Sequence, residues 1–583
     1  MRKYIFFSLL IFFLGVSFSA NAASVGEKRT FNVDPAYDVI GREEVTGILK
    51  EMGHRIYFYV DENWWNTLTL TQQSETRSSL NSLGNEFDNN IYLTLTKTFG
   101  FEPRPGIDND YSVTILIHPM KNSAGGYFNA GNQYSRLENP LSNEKEMLHL
   151  NSDYINGYLA KSFLAHEFVH LISFNQKEIL RKTTEEVWLN EMRAEYAPTL
   201  LGYDDNYARS NLRGRQVTFL KTPSDSIVEW MGKNEDYGAL NLFTQYLVDH
   251  YGIDILSKSL QYKGSGIDSL NYALKSSGFA QDFAEIFTDW TIASLINDCS
   301  LSDKYCYKNI NLKNTKVTPS LNFLPLNTKS TLGVSGSTKN WEGNWVKFVG
   351  GNGTIKIEFI GNPDNIFKVP YVVRKKDGEY LIGSIELNDE QRGEVLVSDI
   401  ESIIIIPSLQ TKTMGFISPE VSVPFFWSAS VVEDENDQKV VSKYLDKPVS
   451  KMSQNELIGK IAEIQSLLNQ LMAQLGILQN PDQSTPVIPL VPVRLSCENI
   501  NQTMNVGAKS DSVRCLQEFL KNQGVGIYPE GLVTSYFGNL TKLAVIRFQE
   551  KYASEILAPF GISIGTGYVG SKTLEKINQL LTK

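Results

Sequence analysis

Residues 162–171 read SFLAHEFVHL, with His166 and His170 four apart. On a helix that spacing turns both imidazoles to one face, where they can ligate a single metal ion. Glu167, beside the first of them, falls where it can take the proton of a water on that metal, and zinc draws the pKa of such a water toward neutrality. The apolar neighbours Phe163, Leu164, Phe168, Val169 and Leu171 predict that this helix is buried. The chain has six histidines in 583 residues, so two of them one helical turn apart are informative.

An isolated HExxH also arises by chance, so the rest of the donor set matters. A catalytic zinc needs a third protein ligand and an open fourth position. Downstream lies EEVWLNEMRAEYA, residues 185–197, where Glu191 and Glu195 share one face of a predicted helix. Glu191 is the candidate third ligand. Glu195 is the candidate acceptor for the non-ligating nitrogen of His166 or His170, a contact that fixes the imidazole tautomer. A merely solvated acidic face would not explain Trp188-Leu189-Asn190 directly before Glu191. His54, His118 and His149 each stand alone among strand or turn residues and are weaker ligand candidates. Gly125, Gly126 and Tyr127, in SAGGYFNAG, are candidate substrate-binding residues on a strand edge over the cleft, or else a hairpin turn.

HEFVH followed by WLNE resembles the gluzincin class of zinc metallopeptidases, whose third ligand is a glutamate on a second helix. The longer text, HEFVHLISFN with EEVWLNEMRAEYA, most resembles the secreted bacterial neutral metallopeptidases of the hyicolysin-like family, over Tyr111 to Cys306. The resemblance implies Zn²⁺ on His166, His170 and Glu191, Glu167 as general base, and metalloendopeptidase activity on polypeptide substrates. It also points to Tyr237, at the start of the helix-like YGALNLFTQYLVDHYG, as donor to the oxyanion; the same tyrosine could simply pack in the core. Tyr246, Tyr251 and His250 are less favoured. Glu195 stands where thermolysin-like enzymes carry an aspartate, and the 21-residue spacing from His170 to Glu191 is slightly longer than in those relatives.

The elements that must hold these residues surround them. HRIYFYVDENWW (54–65) and Tyr111–His118 read as strand, 71–99 as helix with Leu80, Leu83, Phe87 and Ile91 on one side, and EMLHLNSDY as a short strand. Helical pattern then runs from Tyr154 to about Leu295. A strand-rich start leading into helices predicts an α+β, zincin-like catalytic domain over 23–310. Residues 23–105 could contain a removable prosegment, although their pattern suits the catalytic fold. Residues 315–431 hold short alternating β-branched runs between Gly, Asn and Asp, predicting an all-β, sandwich-like accessory domain with no His or carboxylate cluster.

Apolar residues at 457, 461, 464, 468, 471, 475 and 478 form a heptad seam within 455–480, long enough for a short coiled coil and possible self-association. A proline-rich linker follows at 481–495. Residues 496–583 resemble the peptidoglycan-binding-like domain through Leu516-Gln517, Tyr536-Phe537-Gly538, Thr541 and Phe548-Gln549, echoed by GTGYVGSKTLEKI at 565–577. That resemblance implies a small all-α unit able to bind cell-wall glycan. Val513, Leu516, Phe519 and Leu520 form one apolar face, and Leu543, Ala544, Ile546 and Phe548 contribute to another.

Arg2 and Lys3, an apolar run to Phe18 and Ala20-Asn21-Ala22 predict a signal peptide over 1–22 and a secreted chain, free outside the cell or held at its wall or envelope. No later stretch is long enough to span a bilayer. Export admits disulfides, and Cys299 with Cys306 and Cys497 with Cys515 are the economical pairs of the three connectivities available. A formal charge of −10 argues against a nucleic-acid partner. No EF-hand-type loop is present, and structural Ca²⁺ is left open. A peptidoglycan-cleaving zinc hydrolase and a non-catalytic wall-binding protein are the alternative functions. The sequence does not give cleavage preference or natural substrate.

Overall fold

Asp61 ends the first predicted strand. Its carboxylate accepts the N–H groups of Asn63 and Trp64 and caps a helix, α1 (Glu62–Thr67), so HRIYFYVDENWW is strand only over β3, Ile56–Asp61. In a computed structural model of the chain, the described residues are 23–121, 124–324, 331–351, 353–432, 497, 499–505, 508, 510–524, 526–528, 531, 533–535, 537–560 and 565–581. The predicted leader at 1–22, the predicted heptad stretch and linker, and Tyr536 lie outside them. The protein is multidomain, with mixed helical and β-sheet regions, and divides into two compact units between Asp446 and Lys447.

The first unit opens with a six-stranded sheet. Its strands are β1 (Lys28–Asn32), β2 (Glu44–Met52), β3, β4 (Val113–His118), β5 (Gly126–Phe128) and β6 (Met147–Asn151), in the order β1-β2-β3-β4-β6-β5. β3, β4 and β6 run parallel, and every residue of β4 is buried, Thr114 and His118 included, as suits a central strand covered on both faces. β1 to β3 supply half of this sheet, so residues 28–61 are integral to the fold. Helices α2 (Leu70–Glu86) and α3 (Tyr92–Phe99) are joined by a π-turn at Phe87–Ile91, and Leu80, Leu83, Phe87 and Ile91 are all buried. Seven helices follow: α4 (Ala160–Phe174), α5 (Val187–Leu200), α6 (Asn211–Lys221), α7 (Asn234–Tyr251), α8 (Asp254–Gln261), α9 (Gly266–Ser276) and α10 (Phe283–Ile296).

Beyond them the chain forms β7 (Ser320–Leu324), β8 (Thr331–Thr338), β9 (Val346–Gly350), β10 (Thr354–Ile360), β11 (Phe367–Lys368), β12 (Pro370–Lys375), β13 (Tyr380–Ser384), β14 (Arg392–Val397), β15 (Ile400–Ile405), β16 (Ser408–Leu409) and β17 (Val423–Val432). A sheet ordered β14-β10-β17-β8 and another ordered β13-β12-β15-β9-β7 share a core that includes Phe348, Ile357, Phe359, Ile403, Ile405 and Trp427. This half is not set off by a linker. Trp341 and Trp345 join the helical core, and the Trp345 indole donates to the Thr291 carbonyl at 2.9 Å.

The second unit holds α11 (Asp511–Asn522), α12 (Asn539–Lys551), α13 (Ala553–Ile556) and α14 (Ser571–Leu581). Gln517 on α11 receives the N–H groups of Thr534 and Ser535 and donates to Thr541; Gln549 on α12 receives the Gly567 N–H and donates to Thr573. The same device is thus built twice. Leu543 is 44% exposed, because Thr541, Ala544, Val545, Phe548 and Gln549 form the buried stripe of α12 and position 543 falls outside it. Cys299 is bonded to Cys306 and Cys497 to Cys515. No helix among the described residues is long and apolar enough to cross a membrane.

Candidate metal centre

α4 is buried along almost its whole length, packed between the sheet and α5, and only a narrow strip of it meets solvent. His166 and His170 lie on that strip with Nε2 atoms 3.1 Å apart. Glu191, one turn into α5, brings Oε2 to 3.2 Å from His166 Nε2 and Oε1 to 3.6 Å from His170 Nε2. Three donors held 2.0–2.1 Å from a tetrahedral metal stand about 3.3 Å from one another, so these separations fit such an ion. Glu191 Oε2 is buried with no hydrogen-bond partner, and two imidazole nitrogens facing each other need a cation or proton between them. The donor set therefore fits a divalent metal. Among the described residues, this trio is the one group of His, Cys, Asp or Glu side chains spaced to hold an ion.

The surroundings favour positive charge at the centre. Burial opposes charge on His166, but the Glu191 and Glu195 carboxylates beside it override that and push the imidazole up to about 10. His170, with no such bonds, is pushed by burial down to about 4. Glu195 Oε1 is 3.4 Å from His166 Nδ1, the nitrogen turned away from the trio. Glu195 is itself clamped: Arg215 reaches both of its oxygens at 2.8 Å, and Asn211 and Asn241 each donate to Oε2 at 3.2 Å. Against its burial, the Arg215 charge and these bonds hold the Glu195 carboxyl far below the usual carboxylate range.

Glu167 sits on the flank of α4 toward the sheet. Burial, with Glu191 and Glu195 nearby, pushes its carboxyl up to about 8, although His166 and the Phe128 N–H pull the other way. β5 reaches it because of glycine. A Cβ on Gly126 would lie 2.6 Å from the His149 carbonyl oxygen and 3.0 Å from Glu167 Cγ; one on Gly125 would lie 2.6 Å from the Phe163 ring. Gly126 begins the edge strand and the Gly125 carbonyl accepts the Asn151 N–H, so the pair forms no hairpin turn and serves close approach instead. The Tyr127 ring is taken up by the fold, stacked between Tyr37 at 4.5 Å and His149 at 4.1 Å, with its hydroxyl accepting the Asp34 N–H.

These groups open into one cleft of about 900 Å³, lined also by Tyr37, Arg215, Trp230 and Tyr237. Tyr237 lies edge-on to Trp230 at 4.6 Å and beneath the Arg215 guanidinium at 4.3 Å. Burial raises its hydroxyl pKa, so it is a hydrogen-bond donor across the working range. His118 and His149, read as isolated, neighbour each other in the sheet, with ring centroids 5.8 Å apart. His54 is exposed before β3, and His250 bonds the Cys306 carbonyl at 2.9 Å. Arg215, Tyr37 and Trp230 had not been read from the sequence. Of these only Arg215 left a signal, since a buried Glu195 requires a cation.

No family model and no curated protein matches the chain. Among solved structures, the pre-peptidase C-terminal domain of a Bacillus anthracis collagenase is similar at 9% identity and a TM-score of 0.15, over 19% of this chain and 95% of that one. PliG, a periplasmic inhibitor of g-type lysozyme from Aeromonas hydrophila, gives 12% and 0.14 over 19% and 98%. A family GH115 4-O-methyl-α-glucuronidase gives 9% and 0.12 over 55% and 51%. Likenesses this weak carry no argument about this chain.

Proposed function

We propose that this chain is a secreted zinc metalloendopeptidase of the gluzincin class, hyicolysin-like in its catalytic part and acting on polypeptides. The observation that carries this reading is the convergence of His166, His170 and Glu191 donor atoms beside the buried Glu167 in one cleft. His166, His170 and Glu191 would hold the ion; zinc, when bound, supplies Lewis-acid polarisation of the scissile carbonyl and acidifies water. Glu195 keeps His166 in one tautomer. Glu167 takes the proton of the attacking water and returns it to the leaving amine. Tyr237 donates to the developing oxyanion. Among the described residues β5 pairs only with β6, so its outer edge, apart from the Phe128 N–H that Glu167 takes, is open to an extended peptide backbone.

The six-stranded sheet with α4 and α5 supports a zincin-like catalytic part, and the two β sheets over one core support a sandwich-like accessory part. The doubled glutamine–threonine device supports a peptidoglycan-binding-like second unit that localises the enzyme. Two disulfides suit an oxidising compartment. Glu167→Gln is expected to keep stoichiometric zinc while lowering peptide hydrolysis by ~100-fold or more, the usual scale for a general base. Metal analysis beside kinetics on an internally quenched peptide checks this; full activity in the variant would overturn the assignment.

A further inference from the structure

The peptidase reading leaves the β-rich half of the first unit without a part in the chemistry, yet one of its loops touches both elements that complete the cleft. Residues 411–420 follow β16. At one point the Gly415 N–H donates to Glu186 Oε1 at 3.1 Å, and the other oxygen of Glu186 accepts the Trp188 indole N–H. Phe416 packs edge-on to Trp188, with centroids 6.4 Å apart. Glu186 and Trp188 begin α5, the helix that carries Glu191.

A few residues later the same loop reaches the other wall. Ser418 Oγ accepts the Trp230 N–H at 3.1 Å, and the Glu420 N–H donates to Glu229 Oε1 at 2.8 Å. Lys339 binds the other oxygen of Glu229, and the Ile227 N–H donates to the Trp341 carbonyl at 3.1 Å. Residues 226–230 are thus bonded to the β half rather than to their own helices, and Trp230 is the ring against Tyr237. The loop is tied to the β sheets through one buried carboxylate. Glu420, 4% exposed, accepts from the Ile417 N–H, the Lys412 ammonium and the Asn340 amide.

We infer that residues 411–420 are a positioning element of the active cleft, setting the spacing between the helix that brings Glu191 and the Trp230–Tyr237 wall. The inference rests on the peptidase reading. Ser418 and Glu420 do not line the cleft; Ser418 acts through Trp230 and Glu420 through the neighbouring Glu229. On this account the accessory β half also holds two walls of the cleft in place.

The test uses full-length protein carrying Ser418→Ala, Ser418→Thr or Glu420→Gln, each with native Tyr237 and with Tyr237→Phe. Zinc content should equal that of the unaltered protein in every case. Glu420→Gln should lower kcat about 10-fold with KM nearly unchanged, the scale of a small misplacement at the reacting centre. Ser418→Ala should act in the same direction, and Ser418→Thr, which keeps the acceptor oxygen, should restore the rate. With Tyr237→Phe the loop changes should add little, since both routes remove the same contact. Unchanged kcat in a zinc-replete Glu420→Gln protein, or an equal loss in both backgrounds, overturns the inference. Amide hydrogen exchange decides separately from activity. Glu420→Gln should speed exchange in 186–191 and 227–237 and nowhere else in the helical part, and unchanged exchange there overturns the inference. Zinc-loaded unaltered protein that cleaves no peptide defeats the peptidase reading alone and leaves the exchange result to decide this one.

Discussion

The first unit contains two histidine pairs of similar dimensions and opposite character. His166 and His170 have ring centroids 4.9 Å apart; His118 and His149, on adjacent strands β4 and β6, are 5.8 Å apart. The helical pair faces a cleft and two carboxylates. The sheet pair is 0% and 1% exposed and has one carboxylate, Asp38, at 3.3 Å from His118 Nδ1. Asp38 is held through both oxygens by Arg42, which also reaches Asp61, so this carboxylate is already engaged. Glu195 is likewise matched by Arg215, whereas Glu191 faces only the two imidazoles. A carboxylate left to two convergent imidazole nitrogens is what marks the helical pair as the candidate metal site, and histidine spacing alone does not reveal it.

The largest effect should come from removing that carboxylate. Glu191→Ala is expected to lower zinc affinity by ~100-fold or more, since even partners one shell further out are worth 10–100-fold. His118→Ala should leave zinc stoichiometry at the level of the unaltered protein and lower thermal stability instead, because it opens a cavity in the sheet core. Metal titration and thermal melts of both variants check the contrast. Zinc loss in His118→Ala would erase the distinction between the pairs.

Gly126 lies between the pairs, with the His149 carbonyl on one side and Glu167 on the other. Gly126→Ala must push β5 off one of them. The expected result is a stability loss of about 1–3 kcal/mol, the usual range for overpacking, together with a fall in kcat and retained zinc. Denaturant melts and peptide kinetics measure both; wild-type activity would mean that the edge strand does not position the base.

The donor set was legible because its pieces are local. His166, Glu167 and His170 share one helical turn, and Glu191 and Glu195 share another. Their apolar flanks announce two buried helices that have to pack together. Arg215, Tyr37 and Trp230 come from distant segments and meet the site only through tertiary packing, so no spacing rule finds them. The strand at 56–61 shows in its β-branched and aromatic residues, while its end does not, since the aromatic run continues past Asp61, which caps the next helix. The β-rich region was visible as alternation, whereas its union with the helical core depends on Trp341 and Trp345, whose burial partners the sequence does not name.

The smallest effect concerns pH. Burial holds the His149 imidazole well below the usual histidine range, with His118 adding to the effect, and burial lowers His118 too despite Asp38. Both rings therefore stay neutral in the folded chain at pH values where the unfolded chain binds protons on them, from about 6.5 downward. Their contribution to stability is whole above about 6.5 and shrinks as pH falls, by at most about 1.4 kcal/mol per pH unit for each ring. His149→Phe keeps an aromatic ring against Tyr127 while removing one titrating group. Its melting temperature should fall less steeply between pH 6.5 and 5 than that of the unaltered protein. Both proteins carry the same donor trio, so acid release of metal from His166 and His170 contributes equally and cancels in the difference. Parallel melting curves in the two proteins would show that His149 takes its proton equally in the folded and unfolded chain, and the sheet pair would then lose its claim to differ electrostatically from a solvated histidine.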